Sequence, residues 1–279
     1  MESNELKCDR SGYIDVKQAK LYYETKGEGP AIVLIPGANG NAPIFAPIRE
    51  FLCKNFKVIT YDRRGFTRSK LSEDYQFNDR LTDDANDVAA LIENLSDDGT
   101  AFVMGSSSGA IVALKTLLLH ADKLKKLIAH EPPAIELFAS DKEKWEKVFK
   151  DVLKTYRTEG IKAAMQQFAD GNVPPKDAQA MQHKDLAPDS QTTKDTHYWF
   201  EHELPIYPYT KWTVNDFAPF RDKLLPANGT ESAGYFTTFA NLNLQRELGI
   251  DILSVPGGHL GYLFEAETFA RILTNALLK

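Results

Sequence analysis

Cysteine is nearly absent from this 279-residue chain. Cys8 and Cys53 are its two cysteines, with no C-x-x-C pair and no Cys/His cluster. That argues against a disulfide-stapled scaffold or a structural zinc site, and a reducing compartment is expected. Basic charge is also in short supply: 33 Lys and Arg stand against 39 Asp and Glu, a formal net charge of −6. No strongly positive field exists to attract nucleic acid or an anionic membrane surface. Long apolar runs are missing as well, none approaching the ~18 residues that span a bilayer. The opening MESNELKCDRSG has no apolar core of the kind a secretory signal needs. Neither an internal repeat nor a low-complexity tract is present. These absences leave a cytoplasmic protein with no nucleic-acid or membrane partner as the expectation.

Apolar residues make up 43% of the chain against 26% charged, enough for a sizeable core. Between residues 20 and 134, short β-like runs alternate with amphipathic ones. The β-like runs are KLYYE (20–24), AIVLIP (31–36), FKVITYD (56–62), TAFVMG (100–105) and LKKLIAHE (124–131). Short apolar runs bounded by Gly, Pro or Asp fit strands buried on both faces of a parallel sheet. Segments 44–54, 81–95 and 108–120 lie between them. In 81–95, Leu81, Ala85, Val88, Leu91, Ile92 and Leu95 mark one helix face. Strand–helix–strand alternation means an α/β fold.

Beyond HEPP (130–133) the rhythm stops. Residues 141–169 read as helical and highly charged, with Trp145, Val148, Phe149, Val152, Leu153 and Tyr156 as an apolar stripe. Residues 170–220 read as irregular, with Pro174, Pro175, Pro188, Pro205, Pro208 and Pro219 punctuating an aromatic-rich stretch. The rhythm resumes with KLLPANG (223–229), a helix near 232–245, the strand IDILSVPGGH (250–259) and a helix over 262–278. The expected organisation is a core domain, residues 1–134 and 221–279, interrupted by a mainly helical insertion, 135–220. An insertion leaving the carboxyl ends of parallel strands would lie over the usual ligand crevice as a lid.

Three adjacent serines carry the main chemical signal. Gly105-Ser106-Ser107-Ser108-Gly109 fits G-x-S-x-G in one register, because Ser107 alone has glycine two residues away on each side. An apolar run precedes it and Ala110-Ile111-Val112-Ala113 follows, the strand-to-helix context in which such a turn projects its central serine. The helix N-terminus would offer free N–H groups to developing negative charge. A plain Ser-rich helix cap is the competing reading.

A nucleophilic serine needs a base. Of six histidines, His259 stands in VPGGH, between the last strand and the last helix, on the crevice side. His120 suits a surface or capping role, and His183, His197 and His202 fall in the insertion. His130 sits beside Glu131, but strand alternation turns its side chain the other way. The orienting acid is less regular. This architecture usually carries it as G-x-x-D after the strand that follows the lid. Here Gly229-Thr230-Glu231-Ser232 puts Ser232 at that position. Glu131, at the end of the run before the insertion, is the favoured acid, with Glu231 as its rival. The oxyanion donors are expected to be the N–H groups of Ser108 and of Ala38, in the small-residue loop Pro36-Gly37-Ala38-Asn39-Gly40. No metal or organic cofactor is implied.

IPGANG, YDRRGFTRS (61–69), GSSSG, HEPP and PGGH occur in this order, and over nearly its whole length the chain resembles the α/β-hydrolases. That resemblance implies an α/β-hydrolase fold: a mostly parallel eight-stranded sheet flanked by helices, with the insertion as a cap. Tyr61-Asp62-Arg63-Arg64-Gly65 is similar to the family's D-x-R-G turn and is expected to be structural. The glutamate in an H-E-x-P stretch, together with the later TES (230–232), is similar to the fungal zearalenone lactonases. By that analogy Trp199 faces substrate from the lid. The expected reaction is acyl transfer to water by a Ser107-His259-Glu131 triad, on a small apolar or aromatic ester or lactone. A serine at the elbow argues against haloalkane dehalogenase or epoxide hydrolase chemistry, which uses aspartate there. Carbon–carbon bond hydrolysis or perhydrolysis on the same triad stays open, as does a hydrolase-like receptor with little turnover. The oligomeric state, a homodimer included, is left open by the sequence.

Overall fold

A computed structural model describes residues 10–182 and 186–279; Cys8 and His183 lie outside them. Nine strands form one sheet among the described residues: β1 (Arg10–Val16), β2 (Ala19–Lys26), β3 (Ala31–Ile35), β4 (Lys57–Tyr61), β5 (Lys70–Leu71), β6 (Ala101–Ser106), β7 (Leu124–His130), β8 (Leu224–Gly229) and β9 (Leu253–Val255). Eight stand in the continuous order β1-β2-β4-β3-β6-β7-β8-β9, and the two-residue β5 pairs with β2 at its side. The six strands from β4 to β9 in that row are parallel, while β1 and β2 are antiparallel at one edge. β1 is absent from the runs read in the sequence. Its RSGYIDV has no buried residue, so an edge strand of this kind carries no apolar run to find.

The helices are α1 (Ala46–Leu52), α2 (Arg80–Leu95), α3 (Ser108–His120), α4 (Lys142–Glu159), α5 (Ile161–Ala169), α6 (Pro175–Gln182), α7 (Gln191–His202), α8 (Phe239–Leu248), α9 (Gly261–Phe264) and α10 (Ala266–Leu277). Alternation along β3 sends Ile32 and Leu34 to one apolar cluster and Val33 and Ile35 to the other. The first cluster is closed by Ile48 and Leu52 of α1 and Phe269 and Leu273 of α10. The second is closed by α2, α3 and α8, through residues such as Val88, Ile111 and Leu244. Cys53 is a buried member of the α1 side. Among the described residues, no helix is long and apolar enough to cross a membrane.

Among the described residues, helices α4 to α7 and three 3-10 turns, Ile135–Leu137, Tyr207–Tyr209 and Val214–Phe220, lie between β7 and β8. Their Trp145, Phe149, Val152, Met165, Trp199 and Phe200 join the α3-side cluster, so the inserted helices share that face's core. The structure corrects the sequence in four places, two of them in this insertion. Residues 141–169 divide into α4 and α5 at Gly160, whose φ of 89° no α-helix accommodates. Residues 170–220, read as irregular, contain α6 and α7. Prolines sit where helices tolerate them: Pro175 opens α6, and Pro188 comes before the Ser190 N-cap of α7. The helix expected near 232–245 starts only at Phe239, and the last one is broken at Glu265 into α9 and α10.

The D-x-R-G turn is built as a buried hub. Asp62 accepts from the Ala42 N–H at 2.9 Å and from the Arg68 guanidinium, while Arg64 forks onto Asp87 at 2.7 and 2.5 Å. These bonds fix the entry to α1 and the seat of α2, as a structural turn should.

Candidate active site

Strand β6 ends in a backbone that few side chains tolerate. Ser107 has φ 58° and ψ −127°, a region that a non-glycine residue occupies only when its surroundings impose it. The flanking glycines are required by close approach. A Cβ on Gly105 would lie 2.1 Å from the Gly109 carbonyl oxygen, and one on Gly109 would lie 2.3 Å from that of Ile35. The three serines are thereby made inequivalent. Ser106 turns into the core, with Oγ 3.0 Å from His130 Nδ1. Ser107 lines a cavity. Ser108 opens α3, and neither its N–H nor that of Ala38 is engaged by another group of the described residues.

One residue past β7, Glu131 is wholly buried, with φ 49°. One carboxylate oxygen accepts the Gly229 N–H at the end of β8, at 2.8 Å, and the other lies 2.7 Å from His259 Nδ1. Burial alone would raise the pKa of this carboxyl. The His259 hydrogen bond and the neighbouring imidazoles outweigh it and bring the pKa to about 2, so the group is anionic. Ser232, where a G-x-x-D acid would stand, is buried nearby, and its hydroxyl adds to the lowering of the Glu131 pKa. Glu231 is exposed and its backbone N–H goes to the Gly257 carbonyl; it is not brought to His259. Ser107 and His259 line the same cavity without a hydrogen bond between them. Such bonds often tighten only when substrate is bound.

His130 faces Tyr262 and Phe269, at ring distances of 5.8 and 5.4 Å, as alternation implies, yet its ring is also 6.1 Å from that of His259. Burial lowers its pKa to about 4, so it is neutral at pH 7. The other described histidines are engaged elsewhere. His120 Nε2 meets Asn86 at 2.8 Å, His197 Nδ1 meets the Tyr156 hydroxyl at 2.8 Å, and His202 stacks on Phe77.

Asp177 of α6 was missed by sequence reasoning. Buried, it accepts the N–H of His259 at 2.7 Å and of Leu260 at 3.1 Å, fastening α6 to the loop that carries the imidazole. Burial raises its pKa, opposed by the His259 charge and these two N–H bonds. An aspartate in the first turn of a helix ordinarily answers the helix dipole, so nothing in PPKDAQAM marked it out.

The cavity holds about 420 Å³. Met165, Phe168, Met181 and Trp199 from the inserted helices give it an apolar wall, and Asn41 and Asp195 a polar one. Trp199 is buried against Phe168, with rings 5.5 Å apart edge to face. No group of three or more His, Cys, Asp or Glu among the described residues could hold a metal ion. An anionic carboxylate on a buried imidazole, beside a strained serine and free N–H groups, is an arrangement able to carry out nucleophilic attack on a carbonyl.

A model of the alpha/beta hydrolase fold family matches residues 30–170. An uncharacterized hydrolase of Bacillus subtilis (strain 168), YraK, is 31% identical over 279 aligned positions, 96% of each chain. A zearalenone hydrolase of Bionectria ochroleuca is 24% identical over 267 positions, 92% of this chain and 94% of its own. Among solved structures, an alpha/beta hydrolase of Sphaerobacter thermophilus DSM 20745 superposes with a TM-score of 0.72 at 22% identity, covering 96% of this chain and 100% of that one.

Proposed function

The chain belongs to the alpha/beta hydrolase fold family, and from that premise we propose that it hydrolyses a carboxylic ester or lactone through Ser107, His259 and Glu131. The observation that carries this is the 2.7 Å contact between Glu131 and His259 Nδ1, beside a cavity that Ser107 and His259 both line. With Nδ1 held by the carboxylate, Nε2 is the lone-pair nitrogen. It takes the Ser107 proton as Oγ bonds to the carbonyl carbon. The Ala38 and Ser108 N–H groups hold the oxyanion, and Glu131 stabilises the imidazolium. The imidazolium then protonates the departing alcohol oxygen, and water, deprotonated by the same nitrogen, releases the acid. In a lactone the alcohol stays tethered to the acyl group.

Residues 135–220 act as the cap. Their apolar wall suits an apolar or aromatic substrate, and one relative is named for the hydrolysis of zearalenone. The test is Ser107→Ala against a panel of esters, thioesters and lactones. Turnover falls by roughly 10⁴–10⁶-fold, and covalent labelling by a fluorophosphonate disappears. Loss of labelling in Ser106→Ala with Ser107→Ala still active would overturn the register. Labelling without multiple turnover on any substrate would replace the hydrolase with a ligand-binding protein.

A further inference from the structure

Arg63 occupies the variable position of the D-x-R-G turn, and its contacts leave that turn. Its Nη2 donates to the Gly37 carbonyl at 2.8 Å, and its backbone N–H donates to the Gly40 carbonyl at 2.7 Å. One residue thus grips both ends of the 37–40 loop. The same Nη2 donates to Glu203 Oε2 at 2.7 Å, just past the end of α7. Glu203 also accepts from Arg80 at 2.9 Å, and Asp84 lies 3.6 Å from Arg63. All four side chains are at most 1% exposed. A buried ion cluster is weak evidence for stability, since apolar residues of the same volume usually serve as well. Its geometry calls for another explanation.

A trans peptide is planar, with its C=O and the following N–H pointing in opposite directions. Turning the Gly37 carbonyl onto Arg63 therefore turns the Ala38 N–H away from it. Gly37 is pressed onto the elbow, where a Cβ would lie 2.9 Å from Ser107 Cβ. We propose that Arg63 and Glu203 are positioning residues that aim the Ala38 N–H into the oxyanion hole, tying that aim to the cap. This rests on Ala38 being the second oxyanion donor. Helix α7 presents Thr192, Asp195, Thr196 and Trp199 to the cavity and ends at Glu203. Its other tie is Asp195, which accepts from Asn41 at 3.1 Å and from the Thr67 N–H at 3.0 Å. The helix that lines the cavity is thus tied to the oxyanion loop through Arg63, and to its flank at Asn41 through Asp195.

The experiment compares an ester with its thionoester, the same substrate with sulfur for the carbonyl oxygen. Sulfur accepts hydrogen bonds weakly, so the ester-to-thionoester ratio of kcat/KM reads the oxyanion donors. Arg63→Lys keeps the charge but not the planar fork, and Glu203→Gln keeps the shape but not the charge. Each is expected to lower kcat on the ester by roughly 10–100-fold, with KM unchanged, and to reduce the ratio by a similar factor. If Arg63→Lys fails to fold, Glu203→Gln decides alone. Tyr207→Phe, which removes the hydroxyl bound to Asp84 but leaves the Arg63 bonds to Gly37 and Glu203 in place, lowers the melting temperature and leaves the ratio intact. A ratio preserved in both Arg63→Lys and Glu203→Gln, or reduced equally by Tyr207→Phe, overturns the relay. A wild-type enzyme with no ester preference overturns the oxyanion assignment itself.

Discussion

The strand ends and the inserted helices contribute to the same cavity by different means. Ser107 and Glu131 each stand one residue beyond a strand, and His259 stands in the turn after the last one. Sheet geometry sets their places. Residues of the insertion are placed instead by the apolar core they share with the α3 side and by polar contacts across long stretches of chain. Asp177 is 82 residues from His259, Asp195 is 128 from Thr67, and Glu203 is 140 from Arg63. Groups fixed by a rigid sheet suit bond-making chemistry, which tolerates little misplacement. Helices packed over the cavity from outside the sheet suit binding and the tuning of orientation. Substitutions at strand ends should therefore act on kcat, and those of the insertion's cavity-lining residues chiefly on KM, with Glu203 the exception because it acts through Arg63.

The largest expected effect is at Glu131. Glu131→Gln keeps the shape but not the charge proposed to stabilise the imidazolium, and on that proposal it lets the wrong tautomer form. It should lower kcat by roughly 10³–10⁴-fold with little change in KM. Glu231→Gln, on an exposed residue, should leave both constants within about two-fold of wild type. Steady-state kinetics on the best ester of a panel would check this, and a greater loss from Glu231→Gln would break the contrast at its strongest point.

These two regions were unequally legible in the sequence. Ser107 could be read because the glycines at 105 and 109 answer a local steric demand. Glu131 and His259 could be read because they follow recognisable strands. Asp177 and Glu203 could not, since their partners are backbone or arginine groups brought near only by the fold, and a lone acid on a charged helix looks like solvated surface. Helices α6 and α7 were obscured by prolines, although Pro175 stands at a first-turn position that admits one. His130 was read as turned away from Glu131, and its ring meets Tyr262 and Phe269 but also lies 6.1 Å from that of His259. Its nearness to His259 depends on the crossing of two loops, which alternation along one strand does not report.

His130 offers a second, smaller break in the comparison, because it is a strand-end residue that should affect stability rather than chemistry. Its folded pKa is about 4, against about 6.5 when unfolded. Between those values the unfolded chain binds the extra proton, so stability falls as pH falls from about 6.5 to about 4, by about 3 kcal/mol in all. Glu131 acts in a lower window. Its depressed pKa of about 2 contributes stability that is present above about 4.3 and lost as pH falls further. Urea unfolding at pH 7 and pH 4.5 should show the His130 slope. His130→Phe should be less stable at pH 7, having lost the buried bond to Ser106, yet show a flatter dependence. An unchanged slope would mean that other groups titrate in that window.

The smallest effect expected is at Trp199, and it examines the insertion's half of the contrast. This indole is buried against Phe168 and faces the cavity from α7. Trp199→Leu keeps an apolar side chain but removes ring area from the wall. For an aromatic ester the expected result is a KM raised by about ten-fold, about 1.4 kcal/mol of binding, with kcat within about three-fold. A small acetate ester that does not reach the wall should show almost no change, so the two substrates together separate lost contact from general loosening. If kcat fell instead while KM stayed fixed, Trp199 would be acting through the end of its helix, where Glu203 holds Arg63. Binding and oxyanion aim would then be one device, and the division between strand ends and insertion would no longer describe how the cavity works.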